Sequence, residues 1–329
     1  MFRLPDKSQS RRLFDRACAL LAILIAAGYG FGLRIWALAG AAAGVSLLTE
    51  WICQYLRKKP FTQANLDAGL CGVILMLMMP ATVSFSLLIM SCIFAIIIGR
   101  QLFGGRENPV VHPAAAGFCF ALLNQHAQMT QFPKSYGILP MLHADAVTLT
   151  EGVSDAFNRG NGLAGHMTDW LIGLPNQSVG TGSVVLLCAV AAVLVLRRSA
   201  SGWVTVPAVV FTVFCNLLFG YFRRPEMQLI GSFLANQFLF AVIFLHADPD
   251  YAPPQLAGSL YGIVLAGCTV ILTRVLFVTD APAALAVMLS PVALRLREMM
   301  AAAERDAQKG GARHAERTNP SALPESGAH

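Results

Sequence analysis

Charge is what this sequence has least of. Of its 329 residues only 13% are Asp, Glu, Lys or Arg, whereas 56% are hydrophobic and the mean hydropathy is +0.59. A soluble domain keeps about a quarter of its residues charged, so an ordinary water-solvated enzyme is excluded and the surrounding medium must be one that does not reward charge, namely lipid. Paired cysteines are missing too. None of the eight belongs to a CxxC pair, and all fall in or at the ends of apolar runs. There a thiol acts as a small hydrophobe, and no metal site is expected. A strong imbalance of charge is also absent, since 24 Lys and Arg stand against 18 Asp and Glu, a net +6 too modest to suggest nucleic acid as a partner.

What is present is a succession of apolar runs long enough, or nearly so, to cross about 30 Å of hydrocarbon. Ten candidates cover residues 17–33, 35–56, 66–80, 82–99, 110–124, 183–196, 202–220, 229–245, 258–273 and 276–294. The first continues into the second with no small-residue cleavage site between them, which reads as an integral helix and not a removed signal peptide. The expected fold is therefore all-α, a polytopic integral membrane protein of about ten transmembrane helices in two five-helix halves, the duplicated arrangement many carriers use. If the spans alternate, Arg34, Lys134, Arg159, Arg223, Arg224 and Arg274 fall on one side and the other eighteen of the 24 basic residues on the opposite side, together with both termini. By the positive-inside rule both termini are cytoplasmic. The expected divisions are a cytoplasmic segment at 1–16, a transmembrane domain at 17–296 with a large extracytoplasmic loop at 125–182, and a tail at 297–329. That tail lacks an apolar stripe and is expected to be disordered.

Three stretches interrupt the apolar pattern. The first, residues 99–118, brings Gly104, Gly105, Asn108, Pro109, His112 and Pro113 to the entrance of the fifth span. Glycines open backbone conformations closed to other residues and prolines leave carbonyls free, so a broken-helix element lining a cavity is one reading and a tight loop with a Pro-initiated helix is the other. His112 alone reads as a packing histidine. The second, residues 244–262, ends a span in Asp248, Pro249, Asp250, Pro253 and Pro254. Those carboxylates could organise a cofactor or a cation path, or could cap the next helix. The third, residues 173–183, places Ser178, Gly180, Thr181 and Ser183 before the sixth span, either as an anion-receiving helix start or as an ordinary loop. Glu50 and Asp67 stand near spans, close enough to an end to snorkel or cap.

In order and spacing these stretches resemble the NqrB/RnfD family of membrane subunits in redox-driven ion pumps. A family loop like FGGxGxNxFNPA is met by Phe103, Gly104, Gly105, Asn108, Pro109, Pro113 and Ala114, and a segment like TGLLLALxLP by residues 71–80, with Asp67 upstream. A loop like GSIGETS is similar to residues 178–183. A span end like ATDPxSAP followed by a YG pair is similar to Ala247, Asp248, Pro249, Ala252, Pro253, Tyr261 and Gly262. The resemblance runs from about Glu50 to the tenth span.

It implies a membrane subunit of a flavin-dependent transmembrane electron-transfer system, coupled to ion translocation, with FMN or riboflavin as cofactor. The flavin ring would do the redox chemistry while the protein binds, orients and tunes it. The implied cofactor residues are Gly104, Gly105, Asn108, Pro109, Pro113, Asp248 and Pro249, as walls of a flavin or quinone site on the cytoplasmic side, and Ser178, Gly180 and Thr181 on the other. Implied partners are other membrane subunits and an extracytoplasmic flavinylated protein. Three departures stand out. Members with a covalent flavin carry SGAT or TSAT in the large loop, whereas residues 145–152 keep Asp145, Thr148 and Thr150 without the small-Ala-Thr order, so any flavin is expected to be non-covalent. Thr181 replaces the acidic residue of the GSIGETS-like loop, and Ala247 replaces the threonine before Asp-Pro. Two other readings stay open here: a small-solute transporter, and a redox-inactive anchor for flavinylated partners.

Overall fold

The computed structural model describes residues 7–103, 105, 110–134, 137–141, 147–159, 173, 176–220, 231, 233 and 235–318. Each of the ten apolar runs falls on a helix. Lys7–Phe31 and Leu33–Leu56 are separated only by a break at Gly32, and Asp67–Leu77, Phe85–Ile96 and Pro113–Asn124 follow. After the loop region come Val184–Leu196, Gly202–Gly220, a broken segment Ala235–His246, Gln255–Arg274 and Ala281–Thr318. Helix starts obey local chemistry. Ser84 and Ser183 accept hydrogen bonds from Leu87 and Leu186 amides, both at 3.4 Å, and Pro113 occupies the first turn, where its missing N–H costs nothing.

Three helices among the described residues are long and apolar enough to cross a membrane, Ser10–Phe31, Leu33–Leu56 and Gln255–Arg274. Six further apolar helices are shorter, and the last helix, Ala281–Thr318, is long but mostly polar over its second half. Large apolar side chains such as Tyr29, Leu33, Val210, Phe214 and Val264 stand exposed on outer flanks. That is costly in water and expected in lipid, so the chain is a membrane protein.

Two helices are half-length by design of the sequence. Asp67–Leu77 stops at residues 78–80, and buried Arg34 ties the turn that follows to the large loop, donating to Ala81 O (2.9 Å), Val83 O (2.8 Å), Pro140 O (3.0 Å) and Met141 O (3.1 Å). The segment Ala235–His246 begins in a left-handed kink, φ +57° at Asn236 and +53° at Gln237, and finishes in a π-helical turn, Val242–His246. Breaks of this kind are tolerated inside a bilayer only where protein satisfies the freed backbone groups.

The fold is all-α in class, with one short antiparallel hairpin among the described residues, where Gln131–Pro133 pairs with Leu149–Glu151 in the large loop and Phe132 lies opposite Thr150. One expectation needs correction. The last helix runs on to Thr318, past residue 297 where a disordered tail is expected, because the stretch is rich in Ala, Glu and Arg, strong helix formers that need no apolar stripe. All eight cysteines are free thiols.

Candidate functional site

The two half-helices run between the same two buried polar clusters, in opposite senses. Asp67–Leu77 starts at the first cluster and ends at the second, and Ala235–His246 starts at the second and ends at the first. At 1.5 Å per residue the eleven residues of the former put the clusters about 16 Å apart.

The first cluster is charged. The Arg16 guanidinium grips both carboxylate oxygens of Asp248, one of them at 2.9 Å, and reaches Asp67 at 3.9 Å. Arg100 lies 3.5 Å from Asp67 and 3.6 Å from Glu50. Glu50, wholly buried, accepts from Gln54 (3.0 Å), Asn65 (3.1 Å) and Gln101 (2.6 Å), and Gln101 in turn accepts from Arg57 at 2.9 Å. His112 closes the group, its Nε2 3.8 Å from Asp248 and its ring 5.1 Å from that of Tyr251. Burial pushes the Tyr251 phenol well above its ordinary range, so it stays a neutral hydroxyl. Buried charge is stable only when paired and hydrogen-bonded, yet three nitrogens here are left over: Arg100 Nε and Nη2 and His112 Nδ1 have no hydrogen-bond partner among the described residues.

The second cluster is built mainly from backbone carbonyls, hydroxyls and amides. Val179 N–H donates to Met79 O (3.1 Å) and Gln237 Nε2 to Met78 O (3.0 Å), so the 3-10 turn Val179–Thr181 and the kinked segment together cap the end of Asp67–Leu77. Ser178 and Thr181 share a hydroxyl hydrogen bond of 2.7 Å. Gly180 is required by close approach, since a Cβ there would lie 3.0 Å from the Leu77 carbonyl oxygen and 2.8 Å from Phe240. Asn236 and Asn158 exchange reciprocal amide bonds of 2.9 Å, and Asp280 N–H donates to Asn236 at 3.3 Å.

Of the residues singled out from sequence, Asp248, Pro249 and Pro113 come together around the first cluster, and Gly105 stands beside it at φ +82° near Arg57 and Gln101. Ser178, Gly180 and Thr181 assemble at the second cluster, packed inward. Thr148 and Thr150 lie apart from both, on the hairpin, where the Thr148 carbonyl accepts from Lys134 N–H at 3.0 Å. Gly104, Asn108 and Pro109 lie outside the described residues. Among those described, no group of His, Cys, Asp and Glu could hold a metal ion.

Arg16, Arg100 and Tyr251 were not legible as site residues, and His112, Glu50 and Asp67 had bland readings. One signal could have found part of the set. Asp67 stands thirteen residues before Pro80, and Asn236 thirteen before Pro249, so the two half-helices place corresponding polar residues at corresponding positions. The second helical layer repeats it: Arg100 meets Glu50 in one half, and Arg274 meets Asn216 at 3.1 Å in the other. At these corresponding positions the first half carries acids, Asp67 and Glu50, and the second half amides, Asn236 and Asn216.

Several known proteins are similar to this chain. The chain is 25% identical over 280 residues to a subunit of the ion-translocating oxidoreductase complex of Actinobacillus succinogenes, covering 75% of this chain and 78% of the relative. It is 40% identical over 114 residues to a subunit of the Na(+)-translocating ferredoxin:NAD(+) oxidoreductase complex of Acetobacterium woodii, covering 34% of this chain and 35% of that protein. With a subunit of the Na(+)-translocating NADH-quinone reductase of Chromohalobacter salexigens it shares 26% identity over 212 residues, 62% of this chain and 50% of the relative. The model of the NQR2, RnfD, RnfE family matches residues 4–302, and the chain, with its two half-helices and the polar clusters they join, belongs to that family.

Proposed function

We propose that this chain is the membrane subunit of a flavin-dependent, Rnf/Nqr-like electron-transfer system coupled to ion translocation, and that it holds FMN or riboflavin non-covalently inside the bilayer. The observation that carries this reading is the pair of nitrogens, Arg100 Nη2 and His112 Nδ1, that have no hydrogen-bond partner among the described residues and lie buried in the charged cluster where a half-helix ends. Electrons do not cross about 30 Å of hydrocarbon in one step. Two polar clusters about 16 Å apart divide that distance into shorter ones.

The residues fit a flavin. Its pyrimidine edge is rich in carbonyl oxygens, and Arg100 Nη2 is a buried donor with no hydrogen-bond partner among the described residues. A bound flavin supplies the acceptance and release of electrons. Arg100 and His112 would orient its polar edge, and Gly105, with positive φ, keeps the neighbouring backbone free of a side chain. Three carboxylates, Glu50, Asp67 and Asp248, face two guanidiniums, Arg16 and Arg100, in this cluster. The excess negative charge suits a proton or a monovalent cation that binds and leaves as electrons pass. Ser178, Gly180 and Thr181 would border the second station.

The test is flavin content of the detergent-purified full chain, after denaturation and on denaturing gels. At least one flavin should be released per chain, with no fluorescent protein band, and Thr148→Val and Thr150→Val should change nothing. His112→Leu and Arg100→Lys, both conservative in volume, should lower content about tenfold, the loss of roughly one charge-assisted hydrogen bond. A flavin-free wild type, or full content in both folded variants, would remove this reading.

The proposal includes ten spans with both termini cytoplasmic in a bacterial inner membrane. Other membrane subunits and an extracytoplasmic flavinylated protein are its partners. Topology reporters fused at Arg57 and at Asn158 are expected to report opposite sides, with Arg57 inside. The same side for both contradicts the span count.

A further inference from the structure

A groove of about 940 Å³ opens at the end of the molecule that carries the 197–201 turn, outside the charged cluster. Val195, Arg198, Ser201, Trp203, Pro253 and Arg297 are among its walls, and none of its described lining residues is acidic. Its two arginines keep their charge available. Arg197 is neutralised by Asp15, at 2.8 Å, but the adjacent Arg198, turned out by a left-handed backbone at φ +58°, is exposed and makes no ion pair among the described residues. Arg297 donates to the carbonyls of Pro249 (3.1 Å) and Asp250 (2.7 Å), which fix the side chain without cancelling its charge. The helix Gly202–Gly220 begins in the same wall and adds the positive end of its dipole.

The other half of the groove is apolar and leads onto the flank of that helix, where Trp203 is 59% exposed and Val206 56%. Tryptophan favours the depth where headgroups meet hydrocarbon, because its ring is amphipathic. A ligand that satisfies both halves needs an anion at one end and hydrocarbon at the other.

We propose that this groove binds one anionic phospholipid, with its phosphate between Arg198 and Arg297 and an acyl chain along Trp203 and Val206. An acidic peptide would meet the arginines but would have to cover the exposed apolar flank with polar backbone in hydrocarbon, which is disfavoured. The inference rests on the chain lying in a membrane and is independent of flavin binding. The site would anchor the Pro249–Pro254 side of the molecule at the headgroup level; residues 249–254 lead directly from Asp248 into the next helix.

Native mass spectrometry of the detergent-purified full chain, delipidated and then titrated with phosphatidylglycerol or phosphatidylcholine of identical acyl chains, tests this. One phosphatidylglycerol should be retained per chain in preference to phosphatidylcholine. Arg198→Gln with Arg297→Gln should weaken retention about thirtyfold, two basic residues' worth of headgroup attraction. Arg295→Gln, on the same helix but outside the groove and paired with Glu298 at 3.2 Å, should leave it unchanged. Trp203→Ala should weaken retention of the lipid while leaving any binding of inorganic phosphate as it was. Equal retention of the two lipids, or undiminished retention by a folded double variant, would overturn the site. So would displacement of the lipid by millimolar inorganic phosphate, which would make the groove an anion site indifferent to hydrocarbon.

Discussion

Replacing Arg16 by glutamine is expected to destabilise the folded chain by about 3–5 kcal/mol, the cost of leaving a buried ion-pair partner uncompensated. Asp248, 6% exposed, would keep one backbone donor, the Asp250 N–H at 2.9 Å, and a histidine 3.8 Å away, too little to hold an ionised carboxylate out of water. Total stability of folded proteins is about 5–15 kcal/mol, so this loss is a large fraction of it. It should appear as a fall on the order of 10 °C in the thermal unfolding midpoint of the detergent-purified protein. The double variant Arg16→Gln, Asp248→Asn removes both charges and leaves two amides that can hydrogen-bond each other, so it should recover much of the loss. If the single variant unfolds at the wild-type temperature, or the double is worse than the sum of both singles, the ion pair does not hold the first helix to the second half-helix.

That pair matters because of where it sits. Arg16 belongs to the first helix of the first half and Asp248 to the turn that ends a half-helix of the second, 232 positions further along the chain. Asp67 and Arg100 extend the contact into the first half. The halves are therefore joined at the site where the charge resides, and a change of protonation or of a bound ion would be felt by both.

The helices were legible because apolar runs are long and the ends are marked by Pro, Gly and charge. Residues 71–80 and 244–249 also announced their breaks, through Pro80 and the Asp248-Pro249 pair. The left-handed kink at Asn236 and Gln237 was not legible, since neither is glycine and the conformation is stabilised by distant partners, Asn158, Ser154 and Met78. The hairpin of the large loop was missed because three-residue strands carry no period. The charged cluster was half visible. Asp248 stood out by its motif, but Arg16 and Arg100 sit where basic residues are ordinarily read as flank markers of orientation, and only tertiary packing turns them inward. The continuation of the last helix to Thr318 escaped notice for a different reason: a polar segment without amphipathic pattern can still be helical through the intrinsic propensity of Ala, Glu and Arg.

The most direct test of the central claim is electron passage across a sealed bilayer. The complex containing the full chain would be reconstituted into vesicles with an impermeant electron acceptor trapped inside and dithionite, also impermeant, added outside. The account predicts that the trapped acceptor is reduced at a rate set by the protein. It also predicts that His112→Leu and Arg100→Lys vesicles, matched for the amount of folded complex, fall towards the rate of protein-free vesicles, because the station at the first cluster is lost. Reduction of the acceptor no faster with wild-type protein than without it, or equally fast in both variants, would contradict the claim that electrons cross through this chain at the Arg100 and His112 cluster.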